Sequence, residues 1–191
     1  VVADSATELG WSVVFFDETR TGQTGDWDIA GKFADLLSLA DRFDGIIVAL
    51  GDNRLRMDHL NRLRTASAKL VTIVDPTARV SRRATIGVGS FLAAGSVVNV
   101  GAGIGEGCII NTGASVDHDC RLGDGVHLSP GVHLSGAVEI GPYSWLGTGS
   151  SVRHNIKIGA DVVAGVGSVI VRDVDSGQLV SGVPARPMER S

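Results

Sequence analysis

Aromatic residues make up only 5% of this 191-residue chain, and cysteine occurs twice. So few rings cannot fill a bulky aromatic core, and two cysteines are too few for the disulfide framework of a small secreted domain. No uninterrupted apolar stretch approaches the ~20 residues that a helix needs to cross a bilayer. The N-terminus lacks the basic-then-apolar order of a signal peptide, so a soluble, cytoplasmic protein is expected. Basic residues are also short, since 17 Lys and Arg against 21 Asp and Glu leave a formal charge of −4. Neither nucleic acid nor an anionic membrane is an expected partner.

Glycine, by contrast, is abundant: 26 residues, about twice the usual ~7% share, and without the triplet period of collagen. Many tight turns are implied. Over residues 1–75 the pattern alternates: residues 1–9 read as helix, 11–16 as extended, 33–43 as helix, 45–50 as extended, 54–65 as helix and 70–74 as extended. Such alternation predicts a small parallel α/β unit. The chain opens directly in a helix, with no strand or glycine-rich turn before it, so a first strand and loop are expected upstream of Val1. Asp75-Pro76 marks the expected boundary, because proline lacks an N–H and biases its predecessor away from helix.

Beyond it the pattern changes. Stepping by six from Val80 to Ile170, fifteen of sixteen positions are Ile, Leu or Val, with Ala164 the exception. Four residues after each lies a small or β-branched residue, running from Ala84 through Cys108 and Cys120 to Val174, so both cysteines read as packing thiols. A period of six suits neither a 3.6-residue helix nor an alternating strand. It suits a solenoid in which each hexad forms one flat side of a triangular coil, with three sides, or eighteen residues, per turn. Glycines directly after the inward aliphatics, as in Ile104-Gly105 and Leu122-Gly123, are expected to supply the unusual dihedrals of corners.

Residues eighteen apart then stack in columns. One column reads His118, Gly136, His154, Arg172, all at the third hexad position, an outward corner. An imidazole beneath a residue with no side chain leaves an open shelf and an approachable backbone N–H, the geometry that a thioester carbonyl needs beside a general base. His127 lies nine residues from His118, half a coil away, so convergence of the two imidazoles is expected to need a neighbouring subunit, and trimers are the expected assembly. Residues 54–83 hold eight of the seventeen Lys and Arg, read chiefly as solvated faces, with a diphosphate contact as the alternative.

The block from Asn111 to Cys120, followed by His127, Gly136 and the terminal Gly182-Val183-Pro184-Ala185, resembles the hexapeptide-repeat sugar O- and N-acetyltransferases. That family includes sialic acid O-acetyltransferases and the bacillosamine-pathway and perosamine N-acetyltransferases. The resemblance implies a Rossmann-like nucleotide-sugar-binding domain over 1–75 and a left-handed parallel β-helix acetyltransferase domain with a C-terminal tail over 76–191. It makes His118 the base and Asp119 the carboxylate that raises its basicity, although the family often has Glu at this place. His127 and the Gly136 N–H would meet the acetyl group of acetyl-coenzyme A, Thr148 and Val166 would line the coenzyme groove, and Asp17, Glu18, Gly51 and Asn111 would hold the nucleotide sugar. No metal is implied.

The leading expectation is therefore N-acetylation of a nucleotide-linked 4-amino-deoxysugar, within a homotrimer whose active sites lie between subunits. O-acetylation of a sugar or amino acid hydroxyl is the near alternative. A zinc lyase of the γ-carbonic anhydrase type would need a third ligand beside His118 and His154, which no column supplies. A non-enzymatic β-helix scaffold would leave His118 and Gly136 without a role.

Overall fold

The computed structural model describes residues 1–188. In the N-terminal part, α1 (Val2–Glu8) leads into β1 (Phe15–Phe16), β2 (Gly22–Thr24) and β3 (Trp27–Gly31), followed by α2 (Phe33–Leu39) and α3 (Asn53–Thr65). The sheet order is β1-β3-β2, with β1 parallel and β2 antiparallel to β3. The β2–β3 hairpin departs from the expected all-parallel unit. Gly-Gln-Thr and Trp-Asp-Ile lack a clear apolar alternation, and the signal was the turn Gly25-Asp26, with Gly25 in the left-handed region at φ 59°. The extended run expected over 45–50 survives as one parallel bridge, Ile46 to Leu70. Beneath it Phe33, Leu36, Ala40, Leu60 and Leu63 make a small separate core.

The solenoid begins at Ile73–Val74, which pairs with Phe91–Leu92, so its first strand precedes the boundary expected at Asp75-Pro76. Asp75 is itself buried and accepts a 2.5 Å hydrogen bond from the Ser5 hydroxyl, tying α1 to the first coil. Two-residue strands then recur on three parallel sheets. On the first face Phe91 pairs with Ile109, Ile109 with His127 and His127 with Trp145. On the second, Ser115 pairs with His133, and on the third, Arg121 pairs with Glu139. Every one of these steps is eighteen residues, as the hexad pattern predicts. The fold is a left-handed parallel β-helix.

The register slips only at the end. Val174 bridges to Ile158 and Leu179 pairs with Val163, both sixteen residues on, so the last coil is two residues short. Leu179–Gly182 then turns back antiparallel on Ala185–Pro187. Pro184 therefore sits in this hairpin turn, not in the corner column that its spacing from Val166 predicts.

The aliphatic of each hexad and its small partner fill the prism, and from Leu92 to Ile170 every aliphatic position is buried. Each such side chain contributes about 1.5–3 kcal/mol when removed from water. Four serines at small positions, Ser90, Ser144, Ser150 and Ser168, bond the backbone, and the Ser90 hydroxyl donates to Gly105 O at 3.0 Å and accepts from Cys108 N at 3.0 Å. Cys108 and Cys120 are buried in the same stack, and burial pushes the Cys108 thiol up to about 12, which makes it an inert packing group.

Glycine plays a different part from the one expected. The left-handed residues lie three places after each aliphatic, as at Gly107, Gly125 and Asp119. The glycines directly after the aliphatic have no positive φ, yet a Cβ on Gly105 would lie 2.6 Å from Asp124 Oδ1 and 2.7 Å from Asp124 N. They are needed because one coil's backbone lies directly on the next. Gly105→Ala is therefore expected to cost about 1–3 kcal/mol through overpacking. Gly103→Ala, where the added atom meets only exposed side chains, Arg121 at 3.3 Å and Thr85 Oγ1 at 3.5 Å, should stay within ~0.5 kcal/mol. Denaturant midpoints of the two variants measure this contrast.

Candidate active site

The prism has three corners, and each is put to a different use. The corner between third and first faces carries Gly89, Gly107, Gly125, Tyr143 and Asp161, and α3 lies along it. A Cβ on Gly89 would meet Leu60 Cδ1 at 2.2 Å and one on Gly107 would meet Met57 Sδ at 2.4 Å, so bare backbone here is what admits the helix. Higher up, the Arg54 guanidinium lies over the Tyr143 ring at 4.7 Å and pairs with Asp161 at 2.6 Å. Arg64 pairs with Glu106 lower down. Three of the basic residues read as solvated faces thus hold α3 to the solenoid: Arg54, Arg64 and the buried Arg56.

The corner between second and third faces carries His118. Its Nδ1 bonds Asp119 Oδ2 at 2.9 Å, which leaves the Nε2 lone pair free. A Cβ on Gly136 would lie 2.4 Å from that Nε2, so the ring rests on the bare Cα of the coil above. The Gly136 carbonyl accepts from Asn155 N, while its N–H has no acceptor among the described residues. Asp119 itself adopts φ 60°, which a short polar side chain tolerates. Asp117 Oδ1 accepts from the His118 N–H at 2.7 Å and from Asn99 Nδ2 at 2.9 Å, which fixes the backbone beneath the ring. The His118 pKa is raised, first by the hydrogen bond to Asp119; desolvation opposes the rise, and the charges of Asp117 and Asp119 add to it. Both side chains are more than half exposed, hence open to a substrate.

His127 lies on the outer side of the first face, opposite the His118 corner, so one chain does not bring the two imidazoles together. Its Nε2 is 3.3 Å from Asn111 Nδ2, and Trp145 from the next coil stacks at 6.2 Å and 26°. Burial, then the positive charge of Arg56, push its pKa down to about 4, opposed by a hydrogen bond to the Gly51 carbonyl. Asn111, His127 and Gly51 thus form one group. Thr148 and Val166 lie on the third corner, between first and second faces, whose glycines Gly113, Gly149 and Gly167 have open space around them. Val166 is 76% exposed, an apolar side chain with nothing packed on it.

Asp17 and Glu18 belong to the N-terminal domain and already carry local bonds. Asp17 Oδ1 accepts from Thr19 N and Arg20 N, which lowers its pKa, and Glu18 accepts from Phe33 N at the start of α2. Two residues beside His127 escaped the sequence reading. Trp145 stands eighteen after His127 and was reachable by the column argument. Arg56 shares the buried face of α3 with Leu60 and Leu63, and a cation at that helical spacing was the available signal. Among the described residues no group of three or more His, Cys, Asp or Glu is arranged to hold a metal ion, and no helix is long and apolar enough to cross a membrane.

A carboxylate-anchored imidazole with a free Nε2, set against an unpartnered backbone N–H on a parallel β-helix, defines an acyltransferase of the hexapeptide-repeat class. Comparison with known proteins agrees. Residues 1–63 match the PglD N-terminal domain family. The acetyltransferase domain of PglB from Neisseria gonorrhoeae FA1090, solved with acetyl coenzyme A, is 41% identical at a TM-score of 0.96, over 98% of this chain and 93% of that one. PerB from Caulobacter crescentus, solved with CoA and GDP-perosamine, is 37% identical at a TM-score of 0.95, over 99% and 91%. Serine acetyltransferase from Synechococcus elongatus is 48% identical over only 46 residues, 24% of this chain, and the match spans about a fifth (19%) of that relative's length. The chain belongs to the hexapeptide-repeat sugar N-acetyltransferase family, whose reaction is acetyl transfer from acetyl-coenzyme A.

With His118 as the expected base, its raised pKa predicts a pH dependence. A base acts only when deprotonated, so activity should fall as pH drops through a value above 6.5, the ordinary histidine pKa. Asp119→Asn removes the largest cause of the shift, so the acid limb should move to lower pH while the plateau rate falls with the weaker base. A kcat/KM profile whose acid limb stays in place would show that Asp119 does not tune His118.

Proposed function

We propose that this chain acetylates the amino group of a nucleotide-linked 4-amino-deoxysugar in the cytoplasm, with His118 as general base and no covalent enzyme intermediate. The observation that carries this reading is the His118 ring resting on Gly136, its Nδ1 held by Asp119 and its Nε2 free. As the sugar nitrogen attacks the thioester carbon, Nε2 takes its proton. The oxygen of the tetrahedral intermediate gains charge and receives the Gly136 N–H. Collapse breaks the C–S bond, and the imidazolium returns the proton to the departing thiolate. Removing one donor of this kind typically costs ~2.7–4 kcal/mol of barrier.

Nitrogen is favoured over oxygen as acceptor because the relative solved with GDP-perosamine aligns with nearly this whole chain, whereas the matches to a serine acetyltransferase and a UDP-N-acetylglucosamine O-acyltransferase cover 24% and 34% of it. The PglD-type domain over 1–63 supports a nucleotide-sugar acceptor. Asp17, Glu18, Gly51 and Asn111 are its proposed contacts, and the exposed corner of Thr148 and Val166 is the proposed path of the pantetheine. Because His118 and His127 lie on opposite sides of one prism, a complete site is proposed between two chains of a homotrimer.

His118→Ala should lose ~10² to 10⁴ in rate and keep its melting temperature, since no inward contact is removed. More than half of wild-type turnover in that variant would end the mechanism. A panel of UDP- and GDP-linked amino and hydroxy sugars separates N- from O-acetylation. Gly136→Val should abolish productive acetyl-coenzyme A binding with the fold intact, because its Cβ alone would displace the His118 ring. Calorimetry and thermal unfolding read the two effects separately. Mixing His118→Ala with His127→Ala chains should restore part of the activity if sites are shared, and mixtures as inactive as either parent would exclude sharing.

A further inference from the structure

The Arg56 guanidinium is 1% exposed, and its five N–H donors find five oxygens, none from a carboxylate. Nε donates to Gly107 O at 2.7 Å, and Nη2 donates to Gly125 O at 3.0 Å and Asn53 Oδ1 at 2.8 Å. Nη1 donates to Leu50 O at 2.8 Å and Gly51 O at 3.3 Å. One planar cation therefore joins two successive coils of the solenoid to the turn that precedes α3. Mere attachment of α3 would not require this arrangement, because Leu60, Met57 and the Arg54–Asp161 pair already dock the helix.

The turn that Arg56 holds is the one that faces His127. The Gly51 carbonyl accepts from the guanidinium at 3.3 Å, and this carbonyl and the Arg56 charge are the two groups of the N-terminal domain that act on the His127 ring. On the other side of the ring, Asn111 Oδ1 is engaged by Thr112 N at 2.8 Å, which turns the amide Nδ2 toward His127 Nε2. An amide NH2 only donates, so Nε2 accepts and the ring proton resides on Nδ1. The groups facing the ring are Arg56 and the Gly51 carbonyl from the N-terminal domain, Asn111 from the coil below and Trp145 from the coil above. Of these only Arg56 is charged, and with its own pKa lowered to about 10 by burial it remains a cation at neutral pH.

We propose that Arg56 is a positioning residue for acetyl transfer: by clamping the Leu50–Gly51 turn to the Gly107 and Gly125 carbonyls, it fixes the tautomer and orientation of the His127 ring. It couples the domain that receives the sugar to the solenoid that receives the coenzyme. The inference rests on the reading that His127 belongs to the acetyl-transfer site.

The test is nitrogen-15 NMR of the histidine rings in the full chain, which has only five histidines, alongside steady-state kinetics. Wild-type His127 is expected as a single Nδ1–H tautomer that stays neutral until about pH 4. Arg56→Lys keeps the charge without the fork, and should give mixed tautomers and at least a ten-fold (order-of-magnitude) loss of kcat/KM for acetyl-coenzyme A. Arg56→Met removes the charge as well, and should raise the His127 titration midpoint toward its ordinary value. Folded variants with unchanged His127 signals would overturn the proposal and leave His127's own role standing. Shifted signals with wild-type turnover would instead remove His127 from the reaction, and Arg56 with it. If neither variant folds, the wild-type spectrum still decides, because an Nε2–H ring is incompatible with the clamp.

Discussion

Coil lies on coil at the spacing of neighbouring β-strands, about 4.8 Å, and the remaining features of the structure follow from that closeness. At such a distance an outward side chain has only the residue eighteen places on as its roof. Where that residue is glycine, room exists for a ring or a backbone, as His118 beneath Gly136 and Gly105 beneath Gly123 show. Where it is not, the side chains must pack or bond in ladders, as Ser115 does with His133 at 2.8 Å. Glycine here is thus chiefly a matter of space at the positions that follow each aliphatic, and of backbone conformation only at the corners.

The same constraint divides labour among the three corners. Bare backbone at Gly89, Gly107 and Gly125 receives α3, the His118 corner offers an exposed imidazole against a bare backbone, and the Thr148 and Val166 corner stays uncovered. A rigid prism cannot bend two of these edges together. One copy of the chain therefore keeps His118 and His127 apart, on opposite sides of the prism. The two histidines are held differently. His118 is exposed and made more basic by Asp119, whereas His127 is half-buried and kept neutral beside Arg56.

Much of this was legible beforehand. The hexads gave the solenoid, its eighteen-residue register and the buried cysteines, because an inward aliphatic repeats too regularly to have another cause. The column that sets Gly136 over His118 followed from the same count. The β2–β3 hairpin was missed because its strands are too polar for alternation to show, and the shortened last coil was missed because Val174 still looks like an inward residue in the unbroken count.

The sequence by itself determined the repeat, the core and the stacking of His118 beneath Gly136, since each depends on positions a fixed number of residues apart along one chain. The tertiary structure decided what that arithmetic cannot reach. Arg56 meets Gly107, fifty-one residues on, and Gly125, sixty-nine residues on, only because an α-helix from one domain lies along a corner of another. No periodicity links the two. The burial of that cation, and the neutral ring it faces, arise from docking between surfaces whose patterns are each complete within their own segment.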